Sequence, residues 1–372
     1  MKKITILALH LNYGGVEKYI SSLCKMLDDT YEIELVVTYK CNPAFEFSNK
    51  IKIKYLIDEM PNKEKFKKSI KDKNVFKIIK EGFNAIKILL LKKLLNIKAI
   101  KNIKSDYIIT TREFHNKLVS KYAQKNIVKI ATEHNYHNND KKYVKKLIKS
   151  LDNYDYLITV SKELRDYYKN MISNVKVVYI PNTLDNLPDK KSSLKEDNII
   201  SVGRFSKEKG FDDLIDVFKT VNDAVPNSKL YLIGDGDQAS IIRQKVKDYK
   251  LNDKVIMPGF LSQSEIEKYY LKSKLYVMTS HTESFGLVLI EAMAHKIPCI
   301  AFDCASGARE IINSSNGELV KNRDKNKMAM NIIGLLNDSN MLDTLSKGTL
   351  KTSQMYLLKN VRKLWIELLE EK

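Results

Sequence analysis

Short apolar, β-rich runs alternate with helical patterns along the whole chain. The runs predict strands at Ile4–His10, Ile33–Tyr39, Ile51–Ile57, Tyr107–Thr111, Val128–Thr132, Tyr156–Val160 and Val175–Ile180. Six more are predicted at Ile199–Gly203, Lys229–Ile233, Val255–Met257, Leu275–Met278, Pro298–Phe302 and Glu318–Val320. Several are continuously apolar, as parallel strands covered on both faces must be. Helical stretches fill the intervals, one of them opening on Ser262-Gln263-Ser264-Glu265, the pattern of a capping box. Alternating strands and helices imply an α/β architecture of parallel sheets joined by right-handed crossovers.

The alternation breaks once, at Pro181-Asn182-Thr183-Leu184-Asp185-Asn186-Leu187-Pro188-Asp189, a turn-rich stretch bracketed by prolines. It falls near the midpoint and predicts two domains, residues 1–184 and 185–352. The remainder, 353–372, holds a final helix from about Ser353 to Glu370, long enough to reach back to the first domain. Residues 61–104 form an insert in which Phe66, Ile70, Val75-Phe76, Ile78-Ile79, Phe83, Ile86, Leu89-Leu90 and Leu94-Leu95 follow a helical rhythm. Lysines occupy most of the other positions. That pattern suits a helix on an anionic membrane and also a helical pair packed on the first domain.

Charge sharpens this picture. The 372 residues carry a net charge of +19 and are 44% hydrophobic, enough for substantial cores. About +16 lies in residues 1–185, and about +11 in residues 61–104 alone. A basic face seeks nucleic acid, anionic lipid or phosphorylated substrates. Cys24, Cys41, Cys299 and Cys304 form no C-x-x-C pair and read as free thiols of a reducing compartment. Met1-Lys2-Lys3 followed by Ile4 to Leu11 reads as a buried first strand, because no small-residue cleavage site follows. No segment reaches the roughly 18 uncharged residues of a membrane span.

The chemistry concentrates in Glu283-Ser284-Phe285-Gly286-Leu287-Val288-Leu289-Ile290-Glu291. A strand, Leu275–Met278, precedes it and helix-like residues, Leu287 to Ala294, follow, so Glu283 is expected at the strand end and Glu291 about two turns into the helix. Free N–H groups at Ser284 to Gly286 would form an anion site flanked by hydroxyl-accepting acids. Eight steps of about 100° leave the acids roughly 80° apart even on one helix, a poor arrangement for an acid/base pair. Asn12-Tyr13-Gly14-Gly15 sits after the first strand, where glycines let backbone approach a ligand. Gly203-Arg204-Phe205-Ser206-Lys207-Glu208-Lys209-Gly210 offers Arg204 and Lys209 to phosphate oxygens. Gly234-Asp235-Gly236-Asp237 contains an Asp-x-Asp triplet, which fits a strand-end turn better than a metal site. His134, in Thr132-Glu133-His134-Asn135, stands where it could bond a sugar hydroxyl.

Gly14-Gly15, Gly203-Arg204 with Lys209, Gly234-Asp235-Gly236, Pro258-Gly259, and Glu283 followed by Glu291 together resemble the retaining family 4 glycosyltransferases, bacterial surface-polysaccharide type. The resemblance implies the GT-B fold, two Rossmann-like doubly wound domains facing across a cleft. It implies a hexosyltransferase that takes a hexose or N-acetylhexosamine from a nucleotide-sugar, UDP-linked by preference, to a glycan or lipid-linked acceptor; transfer directly to a membrane glycerolipid or a protein is the alternative. Arg204 and Lys209 would neutralise the diphosphate. Glu291 would accept the ribose hydroxyls, and Glu283 the donor sugar's, assisted by Ser284, the N–H groups of Phe285 and Gly286, and Leu287. Gly14 and Gly15 would approach the phosphates, Gly234 would line the donor site, and Pro258, Gly259 and Phe260 would meet the base. His134 would touch the sugar. No metal and no cofactor is implied. With the basic first half on the anionic inner leaflet, the enzyme would be cytoplasmic and peripheral. A nucleic-acid partner is not expected, because no nucleic-acid module or aromatic stacking motif accompanies the lysines.

Overall fold

The computed structural model describes residues 1–61, 69–72, 75–137, 140–303 and 306–371. Phe66 and Cys304 lie outside the described residues. The chain divides into two compact units: Met1–Thr159 with Arg165–Tyr179, and Val160–Leu164 with Ile180–Lys372.

The first unit holds β1 (Lys3–Ala8), β2 (Glu32–Tyr39), β3 (Lys52–Ile57), β4 (Tyr107–Thr110), β5 (Val128–Glu133), β6 (Tyr156–Thr159) and β7 (Lys176–Tyr179). They form one parallel sheet in the order β3-β2-β1-β4-β5-β6-β7. The second unit holds β8 (Asn198–Val202), β9 (Lys229–Ile233), β10 (Val255–Gly259), β11 (Leu275–Met278), β12 (Cys299–Phe302) and β13 (Gly317–Val320). Its parallel order is β10-β9-β8-β11-β12-β13. Every expected apolar run is a strand, with ends moved by one or two residues. The central strands are buried along their length, β4, β6, β11 and β12 completely, which is why their sequences are apolar rather than alternating. In both sheets the strand order reverses beside the first strand, between β1 and β4 and between β8 and β11. In doubly wound sheets that reversal opens a crevice at the carboxyl ends of the two strands, where ligands bind.

The predicted capping box is present: the Glu265 carboxylate accepts the Ser262 N–H at 2.8 Å. The final helix departs from expectation. One helix runs Ser339–Met355 and a second Leu358–Glu370, separated by Tyr356 and an extended Leu357. The break exists because Leu357 bridges Leu184 of the proline-bracketed stretch: Leu184 N–H donates to Tyr356 O and Leu358 N–H donates to Leu184 O, both at 2.9 Å. Helix-forming residues on either side yield to a two-bond ladder and a buried Leu184.

Residues 75–101 form one helix of 27 residues, Val75–Lys101. Its last turns dock on the first sheet through a buried polar knot. The Thr38 hydroxyl of β2 donates to Asn96 Oδ1 at 3.2 Å and lies 3.1 Å from His115 Nε2. Burial, then the nearby Lys92 and Arg112 charges, push His115 down to about 3 from its usual 6.5. Unfolded, His115 binds a proton near 6.5; folded, only near 3. Between those values the unfolded chain binds more protons, so stability is lost as pH falls through this window. Thermal unfolding is expected to show the first unit weakening as pH drops below about 6.5, and His115→Gln is expected to flatten that slope. An unchanged slope in the variant would assign the acid sensitivity to other groups.

Candidate functional site

The loops following β8, β9, β10 and β11 meet along the carboxyl edge of the second sheet. Backbone bonds lace them together. Gly203 N–H donates to Ile233 O, Phe205 N–H to Asp235 O, and Gly234 N–H to Gly259 O, each at 2.9 Å. Gly234 has φ +140, and a Cβ there would strike the Gly203 carbonyl, so only glycine permits this approach. Asp235 caps its own turn by accepting the Gly236 N–H at 2.9 Å. Pro258 closes β10, an edge strand where its missing N–H costs no ladder bond. Phe260 beyond it is 57% exposed.

The two basic residues of the β8 loop part company. Lys209 Nζ reaches Glu283 Oε2 at 2.5 Å, whereas Arg204 is exposed and pairs with Glu208 at 2.8 Å. The structure therefore brings Lys209 to the acid loop, while Arg204 pairs within its own turn. Lys209, Tyr276, Met278, Thr279, Glu283 and Val288 line a small pocket between the ends of β8 and β11.

Gly286 takes φ +94 and caps the helix Leu287–Ala294, the range its residues predicted. Two expectations about the acids beside it are corrected. Glu291 stands about one turn into the helix, not two, and Glu283 lies in the loop beyond the end of β11 at Met278 rather than at the strand end; Leu287 and Val288 contribute the helix's first-turn N–H groups. Phe285 is buried with its ring 5.4 Å from Tyr356, so it acts through packing and backbone. The Glu283 carbonyl accepts from Ser306 Oγ at 3.4 Å and Gly307 N–H at 3.4 Å, and the Ser284 carbonyl from Ser306 Oγ at 3.5 Å. Behind Glu291, His295 Nδ1 donates to the Glu291 carbonyl at 2.8 Å and stacks on Tyr270 at 4.7 Å. The Tyr270 phenol is pushed well above its ordinary value by burial and then by the Glu291 carboxylate.

Sequence reasoning missed Arg323. It sits at φ +50, beside Asn322 at φ +55, in the turn after β13. Its guanidinium donates to Ser280 O at 2.9 Å, Thr279 O at 3.0 Å and Asp213 Oδ2 at 2.6 Å, and lies 4.5 Å from the centre of the Phe302 ring. Burial would raise Asp213, but its bonds to Arg323 and Lys325 outweigh that and hold it below the usual carboxylate value. Arg323 thus clamps the start of the Glu283 loop to the helix that follows Gly210. Two successive left-handed non-glycine residues were the only sign of it, and backbone dihedrals are not written in composition.

In the first unit, Gly14 caps the helix Gly15–Leu27 without a side-chain bond. His134 follows β5, with its ring 4.3 Å from Tyr19 of that helix and its Nε2 2.9 Å from Thr132 Oγ1. Burial and then Arg112 push His134 down to about 3, leaving a neutral imidazole suited to hydrogen bonding rather than to donating charge. Glu133 is buried and bonded to Tyr143 at 2.8 Å and to Asn135 N–H at 2.6 Å. Glu17 is also buried, pairing with Arg112 at 2.9 Å and lying 3.5 Å from His10. Arg112 stands just past Thr111 at the carboxyl end of β4, a position that could have marked it in advance.

Residues 182–352 match the family described as glycosyl transferases group 1. With two doubly wound parallel sheets, the chain is a glycosyltransferase of the GT-B fold. The amylovoran biosynthesis glycosyltransferase AmsD of Erwinia amylovora is 26% identical over 96% of this chain and 96% of its own. Among solved structures, S. aureus TarM in complex with fondaparinux, alpha-GlcNAc-glycerol and UDP superposes with a TM-score of 0.78 at 18% identity, covering 99% of each chain. Anabaena HepE with UDP and glucose gives 0.78 at 17%, covering 100% of each.

Arg323→Met is expected to release the Glu283 loop: amide exchange at 279–286 rises, while the rest of the second unit keeps its protection. Transfer activity falls about tenfold or more, the scale of losing charge-assisted bonds, and Arg323→Lys recovers only part of it. Unchanged exchange at these amides would rule out the clamp.

Proposed function

We propose that the enzyme transfers a hexose or N-acetylhexosamine from a nucleotide-sugar, UDP-linked, to a glycan or lipid-linked acceptor of bacterial surface polysaccharide, with retention at the anomeric carbon. The observation that carries this reading is the Lys209–Glu283 pair at the strand-order reversal of the second sheet. One cation and one hydroxyl-accepting carboxylate, beside the helix starting at Leu287, suit the sugar–diphosphate junction of such a donor. The complexes of TarM and HepE with UDP, and the amylovoran role in the name of AmsD, support the donor and acceptor classes.

Breaking the anomeric C–O bond places negative charge on the departing diphosphate and positive charge on the sugar ring. Lys209 and the Leu287 and Val288 N–H groups stabilise the first, and no metal ion is called for. Glu283 exchanges its bond to Lys209 for the donor's hydroxyls. Glu291 accepts ribose hydroxyls, with Tyr270 and His295 holding its end of the helix. In retention by front-face attack, the diphosphate oxygen takes the acceptor's proton as the new bond forms, so no side-chain nucleophile is required. A lipid-linked acceptor would bring the basic first half to an anionic membrane face.

A screen of UDP- and GDP-sugars for donor hydrolysis is expected to single out a UDP-sugar. Lys209→Met is expected to lower kcat by about 100- to 1000-fold, the scale for removing one preorganised donor to a developing anion. Glu291→Ala should instead raise KM for the donor by about tenfold. Full activity in both variants would place the donor elsewhere.

A further inference from the structure

We propose that the helix Val75–Lys101 is a membrane-contact helix that lies flat on an anionic bilayer. The proposal deepens the reading of a membrane-borne acceptor and rests on it for its purpose. Its evidence is the helix itself.

At 1.5 Å per residue the helix is about 40 Å long. Only its last turns dock on the sheet, through Asn96 and Ile100, both essentially without solvent exposure. Lys92 lies over the Phe114 ring at 3.9 Å and adds to that attachment. Further towards its N-terminus, large apolar side chains face solvent. Phe76, Ile79, Phe83, Ile86, Leu90 and Leu94 are 59% to 88% exposed. At about 100° per residue these six fall within an arc of roughly 80°, separated by roughly a quarter turn from the side that docks. An exposed stripe so long and continuous marks an interaction surface rather than ordinary solvent-facing scatter.

Charge selects the occupant. Residues 75–101 contain seven lysines, at 77, 80, 87, 92, 93, 98 and 101, against one acid, Glu81. Lys80, Lys87 and Lys98 project roughly 20–40° beyond one edge of the stripe. A surface that offers hydrocarbon below and negative charge above satisfies both faces, as anionic lipid does. A second copy of the helix would bring lysine against lysine. Spanning is excluded: among the described residues no helix is long and apolar enough to cross a membrane. The flat arrangement buries the stripe at the level of the headgroups and upper acyl chains while the lysines remain wet.

Flotation of the full-length enzyme with vesicles of phosphatidylcholine alone, or mixed with phosphatidylglycerol, tests this. Binding to the mixed vesicles is expected to be at least about tenfold tighter and to be lost as salt is raised from about 0.1 M to about 1 M. The double variant Phe76→Asp with Phe83→Asp, and separately Lys80→Glu with Lys87→Glu, should each weaken it by about tenfold or more. Donor hydrolysis without vesicles should stay within about twofold of the parent in both, because neither pair touches the donor loops. Parent-like binding by both variants overturns the proposal. So does a parent dimer that the aspartate variant converts to monomer while phosphatidylglycerol vesicles are ignored, since a second copy is then the occupant. Vesicle binding that survives alongside absent hydrolysis of every nucleotide-sugar would sink the donor reading and leave the helix assignment standing.

Discussion

Parallel pairing is the constraint from which the site follows. Each strand must be re-entered from the same end, so every connection returns across the sheet and every strand delivers its carboxyl end to one edge. In the second unit that edge collects the loops after β8, β9, β10 and β11 from four distant stretches of sequence. Where the order reverses beside β8, the flanking crossovers leave for opposite faces, and Lys209 and Glu283 are left as neighbours. Their meeting needs no special device beyond topology. What topology leaves loose is fixed by backbone lacing at Gly203, Gly234 and Gly259 and by the guanidinium of Arg323.

Much of this was legible in the residues because burial on both faces writes itself as uninterrupted apolar runs. The central strands followed from that, and edge strands such as β3 and β7 from shorter β-rich runs, all of them grouped on either side of Pro181–Pro188. Loop motifs were legible for a second reason: a glycine tolerated at Gly234 or Gly286 reports a backbone that no other residue adopts there. Other features had no local signal. Arg323 works through carbonyls about forty positions away, and the Glu17–Arg112 pair joins residues on separate elements. Whether Arg204 faces Glu208 or a ligand is likewise a rotamer question, not a sequence one.

The two units treat buried polarity differently. In the first, Glu17, Glu133, His115 and the half-buried His134 are enclosed near or between strand ends and bonded to neighbouring side chains. In the second, the comparable ends carry glycine turns and main-chain bonds beside charged pairs such as Lys209–Glu283 and Arg323–Asp213. Desolvated ionisable groups make a region sensitive to protonation, whereas main-chain lacing is indifferent to pH. Acid therefore bears on the first unit through its buried His115 and His134.

The bridge between Leu184 and Leu357 has a consequence for how the second unit is completed. It joins residues roughly 170 positions apart, so closing it orders a loop that contains almost the entire second sheet. Contacts of such separation form late, after the local strand–helix units that they enclose. Until then Leu184 lacks the two main-chain bonds that fix it beside Leu357. A single ladder step thus fastens the second unit's last helix to its entry stretch only once the sheet between them is whole.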